Sequence, residues 1–395
     1  MRQVDLNQPA AASSETARRI NRGIVLNLIR NRQPVSRADV ARFSGLQRST
    51  VSLIVEELIE DEWVVEGSLG RLPRGRRPTF LQLNEKRAVI CVDIRPSGIN
   101  IGVGDVNGVF TPQDGFPTPQ DPTVAVKELV KRIKALIKKR VGTPFDGIGV
   151  SMPGRIDLST HQLVFAPNLR WPAMDLQDAL ERATGLSVEL ENAANACALA
   201  EIWFGHSGKM RDLVAITVSE GIGTGIIAHG QLISGRRGMA GEFGHVPLEP
   251  DGPLCSCGNR GCWEVLASNR AAVRYYTESN PNRAAATLTF TELLALAEKG
   301  DVLADRALTR MAVQIGRGTR MIVAGLAPEA ITFIGEFTSA WSRFRPVIEA
   351  EVRAQSISSE PTILLAGQNG ATARLRGTIA LIFLKHFGPP AKSPN

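Results

Sequence analysis

The stretch EFGHVPLEPDGPLCSCGNRGCWE, residues 242–264, lies near the middle of the 395-residue chain and decides how its largest domain is read. It holds three of the five cysteines of the chain, within eight residues of one another. Three thiolates and one imidazole complete the tetrahedral shell of Zn²⁺ and leave no position open for water. The spacing therefore predicts a structural zinc ion that pins this loop in one conformation. The predicted ligands are His245, Cys255, Cys257 and Cys262.

Two other interpretations of these cysteines are reduced buried thiols and a disulfide. A Cys-x-Cys pair does not easily close on itself, and the N-terminal sequence MRQVDLNQ is polar and mixed in charge, unlike a signal peptide. No apolar run approaches the roughly 20 residues of a membrane span. We therefore expect a cytoplasmic protein with no membrane partner, in which zinc is favoured over a disulfide.

Arginine is distributed unevenly along the chain. The net charge is +7, but the first 82 residues alone hold 13 Arg, no Lys and 9 acidic residues. Arginine is a planar, bidentate donor to phosphates and guanine edges, so this bias favours a nucleic-acid partner for the N-terminal part. A coding bias towards arginine is the alternative explanation.

The N-terminal 82 residues follow the pattern of a winged helix-turn-helix. Residues 1–15 lack an apolar period and are expected to be disordered. From residue 16 apolar side chains recur at four-residue steps, and Pro34 ends this first helix. Ser36 is the predicted N-cap of a short second helix, and a turn at residues 44–46 precedes a third helix over residues 47–61. The DNA-binding domain is therefore expected to cover residues 16–82.

Two groups of donors make this domain a predicted reader of double-stranded operator DNA. The group that opens the third helix is Gln47, Arg48, Ser49, Thr50 and Ser52. The group at the tip of a hairpin between strands near residues 63–66 and 79–83 is Arg71, Arg74, Arg76 and Arg77. The first group suits base edges in a major groove, and the second suits a phosphate backbone or a narrow minor groove. The alternative is a helical packing module with a solvated charged loop.

The rest of the chain, residues 83–395, predicts an α/β architecture. Strands are expected near residues 88–93 and 99–105, and an amphipathic helix is expected over residues 123–140. A further buried strand enters a Gly/Pro loop at Gly154. Strands continue to alternate with helices towards the C-terminus, which indicates helices packed on sheets.

Three motifs together identify a family resemblance. They are GIGTG at residues 221–225, GMAGEFGH at residues 238–245, and the cysteine run that ends at Glu264. On these motifs residues 83–385 resemble the ROK family (repressors, open reading frames, kinases). The resemblance implies a two-lobed actin/hexokinase-like, ribonuclease H-like fold with a sugar pocket between the lobes. The winged helix-turn-helix in front resembles the branch of xylose and N-acetylglucosamine repressors.

The resemblance also implies which side chains bind the sugar. The implied ligand-binding residues are Gly154, Asn168, Asn192, Glu242, His245 and Glu264. Gly154 would approach the ligand, and the amides and carboxylates would bond its hydroxyls. His245 would use one ring nitrogen for zinc and the other for a sugar hydroxyl, so the ion would set the orientation of a recognition group. The alternatives are exposed loop acids for the two glutamates and turn-capping for the asparagines.

Three positions that a sugar kinase of this family needs are altered here. The catalytic Asp of Glu-Asn-Asp-Ala-Asn is Ala193, and a methyl group cannot accept a proton. The phosphate loop Asp-Ile-Gly-Gly-Thr is replaced by Asp93-Ile-Arg-Pro96-Ser, in which the proline has no N–H to offer a phosphate. A later Gly-Gly is replaced by Gly335-Glu336. Asp93 is expected to remain as a structural hydrogen-bond acceptor.

The sequence thus predicts a regulator and not an enzyme. It would be a DNA-binding repressor of carbohydrate-metabolism genes, which responds to a sugar or sugar-phosphate effector and acts as a homodimer or homotetramer. One alternative is an ATP-dependent sugar kinase fused to a DNA-binding domain. Another is a zinc-stabilised scaffold that binds neither sugar nor DNA.

Overall fold

The computed structural model describes residues 14–69, 79–157, 160, 162–166, 168–205, 210–280, 288–354, 362–367 and 370–387. The chain divides into two compact units. The first is Met1–Ala88 with Asp105–Asn107 and Ile382–Asn395, and the second is Val89–Gly104 with Gly108–Leu381. Within the described ranges, no helix is both long and apolar enough to cross a lipid bilayer.

The first unit is a winged helix-turn-helix. Its elements are α1 (Ser14–Arg32), β1 (Val35–Ser36), α2 (Arg37–Ser44), α3 (Arg48–Glu60), β2 (Val64–Leu69) and β3 (Thr79–Leu83). The three strands form an antiparallel sheet in the order β1-β3-β2. The tip between β2 and β3, with the predicted DNA contacts Arg71, Arg74, Arg76 and Arg77, lies outside the described residues. Of residues 1–15, which were predicted to be disordered, residues 1–13 also lie outside them, whereas Ser14 and Glu15 form the start of α1, so this helix begins two residues earlier than predicted.

Local caps explain where the helices of this unit begin and end. The Ser36 hydroxyl accepts the backbone N–H of Asp39 at 3.2 Å and caps α2, as the sequence predicts. Gly45 ends α2 at a φ of 72°, in the left-handed region that glycine adopts without strain. The buried faces of α1 and α3 share a core with Trp63, whose ring meets that of Phe383 edge-on at 5.6 Å.

The second unit contains two five-stranded sheets and their helices. Some of its elements extend by a few residues into the first unit. The elements from β4 to β10 are β4 (Ala88–Arg95), β5 (Gly98–Asp105), β6 (Phe110–Phe116), α4 (Pro122–Lys139), β7 (Phe145–Met152), β8 (Arg155–Asp157), β9 (Gln162–Phe165), α5 (Leu176–Thr184) and β10 (Val188–Asn192). They are followed by α6 (Ala193–Phe204), β11 (Leu213–Val218), β12 (Ile222–Ala228), β13 (Gln231–Leu232), α7 (Trp263–Ala267), α8 (Asn269–Ser279), α9 (Phe290–Glu298), α10 (Val302–Leu326), β14 (Ala330–Ile334), α11 (Trp341–Arg353), β15 (Ile363–Ala366) and α12 (Gly370–Phe387).

The two large sheets repeat one topology. The first has the order β10-β7-β4-β5-β6 and the second the order β15-β14-β11-β12-β13. In each, the earliest strand of the chain is central, the next two follow it on one side, and the later two add on the other side. The outer pairs β10–β7 and β14–β15 are parallel, whereas β5–β6 and β12–β13 are antiparallel. This duplicated arrangement is the two-lobed actin/hexokinase-like fold, and the predicted fold class is confirmed.

Glycines let α6 and α12 pack unusually closely. A Cβ on Gly377 of α12 would lie 1.9 Å from the carbonyl oxygen of Ala196 in α6. A Cβ on Gly225 of β12 would lie 2.3 Å from the carbonyl oxygen of Ala194. Real side chains do not tolerate such distances, so only glycine allows these approaches. The first turn of α6 is thereby held close to both α12 and β12.

Candidate functional site

Three cysteines and one histidine of the loop 242–264 converge in space. The ligand atoms of His245, Cys255, Cys257 and Cys262 all lie within 4.8 Å of one another. The Sγ atoms of Cys257 and Cys262 are 3.7 Å apart, and the Sγ of Cys255 is 3.5 Å from Nδ1 of His245. This group could hold a metal ion.

Two of the separations between these atoms fit the edges of a tetrahedral zinc shell. A tetrahedral zinc with bonds of about 2.3 Å to sulfur and about 2.0–2.1 Å to nitrogen separates two sulfurs by roughly 3.8 Å and a sulfur from a nitrogen by roughly 3.6 Å. The two distances given above, 3.7 and 3.5 Å, match both edges of that tetrahedron. If the two thiols were only in van der Waals contact, there would be no reason for the distance from Cys255 to His245 to match the zinc tetrahedron as well.

Backbone hydrogen bonds and one tryptophan anchor this loop. The N–H of Cys255 donates to the carbonyl of Asn259 at 2.7 Å, and the N–H of Trp263 donates to the carbonyl of Val246 at 3.0 Å. Trp263 is fully buried, and its Nε1 donates to the carbonyl of Gln314 in α10 at 2.9 Å. Trp263 therefore fixes the metal-ligand group (His245, Cys255, Cys257 and Cys262) to the core of its lobe.

The two remaining cysteines lie elsewhere in the core. Cys91 on β4 and Cys197 on α6 are fully buried, and burial raises the pKa of each thiol to about 12. A thiol that stays protonated at neutral pH is a poor metal ligand and a poor nucleophile. These two side chains serve as small apolar residues.

A cavity of about 290 Å³ lies beside the metal-ligand group, in the second unit. All six residues that the family resemblance implied for sugar binding line it: Gly154, Asn168, Asn192, Glu242, His245 and Glu264. They come from four separate parts of the sequence, so the fold brings them together. The volume lies just under the roughly 300–1,000 Å³ of drug-sized sites, which suits a ligand of monosaccharide size.

One wall of the cavity carries Glu242, His245 and Glu264. The Nε2 atom of His245 is 3.8 Å from Oε2 of Glu242, while its Nδ1 faces the thiols. The two ring nitrogens thus face different partners, as the sequence predicts for a shared metal and ligand role. The Oε2 atom of Glu264 accepts the backbone N–H of Ile222 at 3.1 Å, and burial raises the pKa of this carboxyl. These groups can accept and donate hydrogen bonds to adjacent hydroxyls.

Asn192 is largely engaged within the protein. Its Nδ2 donates to the carbonyl of Gly154 at 2.7 Å, and its Oδ1 accepts the N–H of Ala194 at 2.8 Å and caps α6. The amide therefore ties the Gly154 loop to the start of α6. Gly154 has a φ of 112°, which explains why a residue without Cβ occupies this bend. The hydroxyl-binding role of Asn192 stays a prediction beside this positioning role.

The position of the catalytic base of a kinase also lies at the cavity. Ala193 begins α6 and lines the cavity, and Arg374 of α12 lines it as well. Arg374 is buried, and its Nε donates to both carboxylate oxygens of Asp93 at 3.1 Å. Asp93 is thus a structural acceptor, as expected from the sequence. Nearby, Arg95 and Glu336 form an ion pair at 3.4 Å across the two altered phosphate loops.

Sequence reasoning missed Arg374. It stands in the apolar run TARLRGTIALIF of α12, and a charged residue in such a run needs a buried partner of opposite charge. Asp93, in the apolar strand β4, is the matching acid. The presence of one basic and one acidic residue in apolar segments was the sequence pattern that could have predicted this buried ion pair.

The predicted DNA contacts of α3 lie at its start. Gln47, Arg48 and Ser49 are exposed, whereas Thr50 and Ser52 are half-buried. Gln47 stands at the N-cap position without a side-chain cap bond, so its amide can face outwards. Val51 and Val55, on the opposite face, are fully buried and hold α3 in the unit.

Comparison with known proteins agrees with this architecture. The sequence model described as the ROK family matches residues 89–384. The xylose repressor of Bacillus subtilis (strain 168) is 31% identical over 390 residues, which cover 95% of this chain and 98% of that protein.

Two solved structures are similar as well. A ROK family transcriptional regulator, described as a homolog of the Escherichia coli MLC protein, superposes with a TM-score of 0.82 and 26% identity over 94% of this chain and 98% of the other. A ROK family glucokinase from Streptomyces griseus, in complex with glucose and AMPPNP, superposes with a TM-score of 0.68 and 29% identity over 74% of this chain and 98% of the other.

Proposed function

The chain belongs to the ROK family, and on that premise we propose that it is a sugar-responsive, DNA-binding transcriptional repressor of carbohydrate-metabolism genes. One observation carries this proposal: a single chain joins a winged helix-turn-helix to a cavity that keeps carboxylates and an imidazole for hydroxyls but has a methyl group at position 193. The similarity to a xylose repressor over nearly the full length of both chains supports it.

The proposed DNA contacts are the exposed start of α3 and the basic wing. Gln47, Arg48 and Ser49 would reach base edges and phosphates, with Thr50 and Ser52 beside them. Arg71, Arg74, Arg76 and Arg77 would contact the phosphate backbone or a minor groove. A homodimer or homotetramer would present these surfaces to operator half-sites about one helical turn apart. The protein would act in the cytoplasm.

Zinc is the metal that we propose for the four-ligand group. Thiolate and imidazole ligands favour zinc, and a closed four-ligand shell is structural rather than catalytic. His245, Cys255, Cys257 and Cys262 would hold the ion. Bound to Nδ1 of His245, the metal would leave the proton on Nε2, where it can be donated to a ligand in the cavity.

A second candidate function is an ATP-dependent sugar kinase, which the similarity to a glucokinase favours. Against it stand Ala193, the charged phosphate loops of Arg95 and Glu336, and the Arg374–Asp93 pair. We expect no ADP release above background when the protein is mixed with ATP and monosaccharides. Restoring the general base with Ala193→Asp should still give none, although such a base usually contributes about 10²–10⁴ in rate. Steady turnover by either protein would favour the kinase.

Retention of genomic DNA fragments tests the proposed function directly. The purified protein should retain a subset of fragments in a salt-sensitive way, and one monosaccharide or monosaccharide phosphate should change that retention. Arg48→Ala should reduce the magnitude of the slope of log affinity against log salt by about one unit, because one phosphate contact is lost. Arg306→Ala, at an exposed position of α10, is the matched control. Absence of salt-sensitive retention at low ionic strength would remove the repressor and leave the scaffold alternative.

A further inference from the structure

The outward face of α3 includes an exposed leucine. Leu53 lies near the middle of this helix and is 55% exposed, more than any other large apolar side chain described in α1, α2 or α3. Phe43 of α2 is 42% exposed, but the guanidinium groups of Arg32 and Arg42 lie 4.1 and 5.0 Å from the centre of its ring. Cations of the same unit thus already contact Phe43, whereas the aliphatic surface of Leu53 is available to another molecule.

Leu53 lies on the face of α3 that points away from the core of its unit. Successive residues of an α-helix are about 100° apart around its axis. The buried residues of α3 are Val51, Ile54, Val55 and Leu58. Leu53 is about 150° from the middle of that buried face and about 40° from the exposed Ser49. Ser49 and Leu53 therefore form one outward stripe.

The charge of this outward face changes along the helix. Arg48 and Ser49 are exposed in its first turn, and Glu56 and Glu60 are exposed towards its end. DNA phosphates attract the arginine and repel the two acids. In a helix-turn-helix, the N-terminal residues of the recognition helix contact base edges. Leu53 follows Ser49 by about one turn and precedes both acids, so it belongs to the part of α3 that meets the bases.

The chemistry of leucine selects one base in a major groove. Its side chain has no donor or acceptor, and burying a polar group of a base without a partner costs free energy. Adenine, guanine and cytosine present hydrogen-bond donors or acceptors in that groove, whereas thymine also presents a C5-methyl group. Contact between this methyl and an aliphatic side chain removes apolar surface of both from water. Leucine at position 53 therefore favours thymine.

From this placement we infer that Leu53 determines part of the operator sequence, because its side chain packs against the C5-methyl group of one thymine in each half-site. The inference rests on the proposed function, since it names the base that the same DNA-binding domain reads. Four residues of a helix rise about 6 Å, and neighbouring bases of one strand are about 3.4 Å apart. The thymine should therefore lie within about two base pairs of the base pair beside Ser49.

Deoxyuridine substitution tests this inference, because uracil differs from thymine only by the missing C5-methyl group. An operator duplex is first selected from a pool of randomised duplexes with the zinc-loaded full chain. Each thymine of that duplex is then replaced in turn by deoxyuridine, and fluorescence anisotropy measures the affinity. Replacement of one thymine in a half-site should weaken binding roughly 3- to 10-fold, as expected for one buried methyl group. The same replacement should change the affinity of Leu53→Ala by less than about 1.5-fold, because the contact is already lost.

Three variants complete the experiment. Leu53→Ala should fold normally, because the side chain is exposed and alanine is a strong helix former. Leu326→Ala, which removes a 41% exposed leucine of α10, is the matched control and should keep the full sensitivity to deoxyuridine. Ser49→Ala marks the register, since its base preference should change within about two base pairs of the sensitive thymine.

The outcomes distinguish this inference from the proposed function. If deoxyuridine is tolerated at every thymine, or weakens Leu53→Ala as much as the unaltered chain, the inference is wrong while selective DNA binding leaves the repressor intact. A Leu53→Ala variant that dissociates into smaller oligomers in sedimentation velocity, with its sensitivity to deoxyuridine unchanged, would place Leu53 in a protein interface and also overturn the inference. If the unaltered chain selects no sequence and shows no salt-sensitive binding, the proposed function itself is wrong.

Discussion

The sugar-binding side chains of the cavity and the positions that a kinase uses for phosphate transfer differ in what they have kept. On the wall beside the metal-ligand group, Glu242, His245 and Glu264 present polar atoms that a sugar hydroxyl can use. At the positions where a kinase needs a base and bare phosphate loops, the chain has Ala193, Arg95 and other side chains instead. Recognition of a sugar and transfer of a phosphate therefore have separate requirements in this fold, and one can be lost without the other.

The charged side chains at and beside the altered kinase positions pair with one another. Arg374 pairs with Asp93, and Arg95 pairs with Glu336, which also accepts a hydrogen bond from the amide of Asn269 at 2.9 Å. These charges are thus satisfied within the protein, whereas Glu242, His245 and Glu264 present acceptors and donors to the cavity.

Loss of one of the proposed metal ligands should have the largest effect on sugar binding. Cys262→Ala takes away a fully buried ligand, so we expect loss of bound zinc and at least about a 100-fold loss of sugar affinity, because metal binding and local folding are coupled. Elemental analysis and calorimetry measure the two effects. Cys91→Ala, a buried cysteine of β4, is the control and should keep both the zinc and the sugar affinity. Normal sugar binding by a zinc-free protein would contradict the proposed role of the loop.

A glycine substitution sharpens the comparison by disturbing only the hydroxyl-binding wall. In Gly221→Ala the added Cβ would lie 2.3 Å from Oε2 of Glu264, so this carboxylate has to move. We expect sugar affinity to fall roughly 10- to 100-fold, since a misplaced charged acceptor costs about 1.5–3 kcal/mol. Gly325→Ala in α10, where an added Cβ meets no described atom within 4 Å, is the matched control. Equal binding by both variants would mean that Glu264 does not contact the sugar.

The titration of Glu191, two residues before Ala193, should have a smaller effect, on the pH dependence of the free energy of unfolding. Burial raises the pKa of this carboxyl, with repulsion from Glu189 acting in the same direction. Between its ordinary pKa and the raised one, the folded protein binds the extra proton, so the free energy of unfolding falls as pH rises through that window. Glu191→Gln can keep the acceptor for Asn192 and Asn195 and should flatten this part of the stability curve. Urea unfolding at a series of pH values measures it, and an unchanged pH dependence would contradict the assignment.

The exposed ion pair between the phosphate loops should matter least. Arg95 and Glu336 are partly exposed, so a double-mutant cycle with Arg95→Gln and Glu336→Gln should give a coupling of about 0–1 kcal/mol. Sugar affinity should be unchanged within about twofold, because neither residue lines the cavity. A large loss of sugar binding in either single variant would show that the altered phosphate loops and the sugar cavity are not independent.

The cluster of His245 with three cysteines was predictable because its members are close in sequence. Cys255, Cys257 and Cys262 fall within eight residues, and ligand spacing of this kind is a local pattern that the chemistry of zinc constrains. The two-lobed fold was predictable from motifs that span the second unit. The family resemblance predicted that six residues share one sugar pocket, although no local pattern in the sequence places Gly154 near Glu264.

The Arg374–Asp93 and Arg95–Glu336 ion pairs could not be predicted from local spacing. Arg374 and Asp93 are separated by 281 positions, and Arg95 and Glu336 by 241. No periodicity or spacing links residues so far apart, since their meeting depends on how both sheets and α12 pack. The capping role of Asn192 was one of two alternatives that the sequence left open, because an asparagine before a helix has the same sequence whether its amide faces a ligand or the backbone.

Trp263 offers an optical consequence of its position. Its indole lies in the core between two residues of the loop, Cys262 and Glu264, and a Cβ on Gly318 would lie 2.0 Å from its ring. Indole emission responds to the polarity and rigidity of such surroundings. The chain thus has an intrinsic fluorophore that should report occupancy of the metal group and of the cavity in real time, without any attached dye.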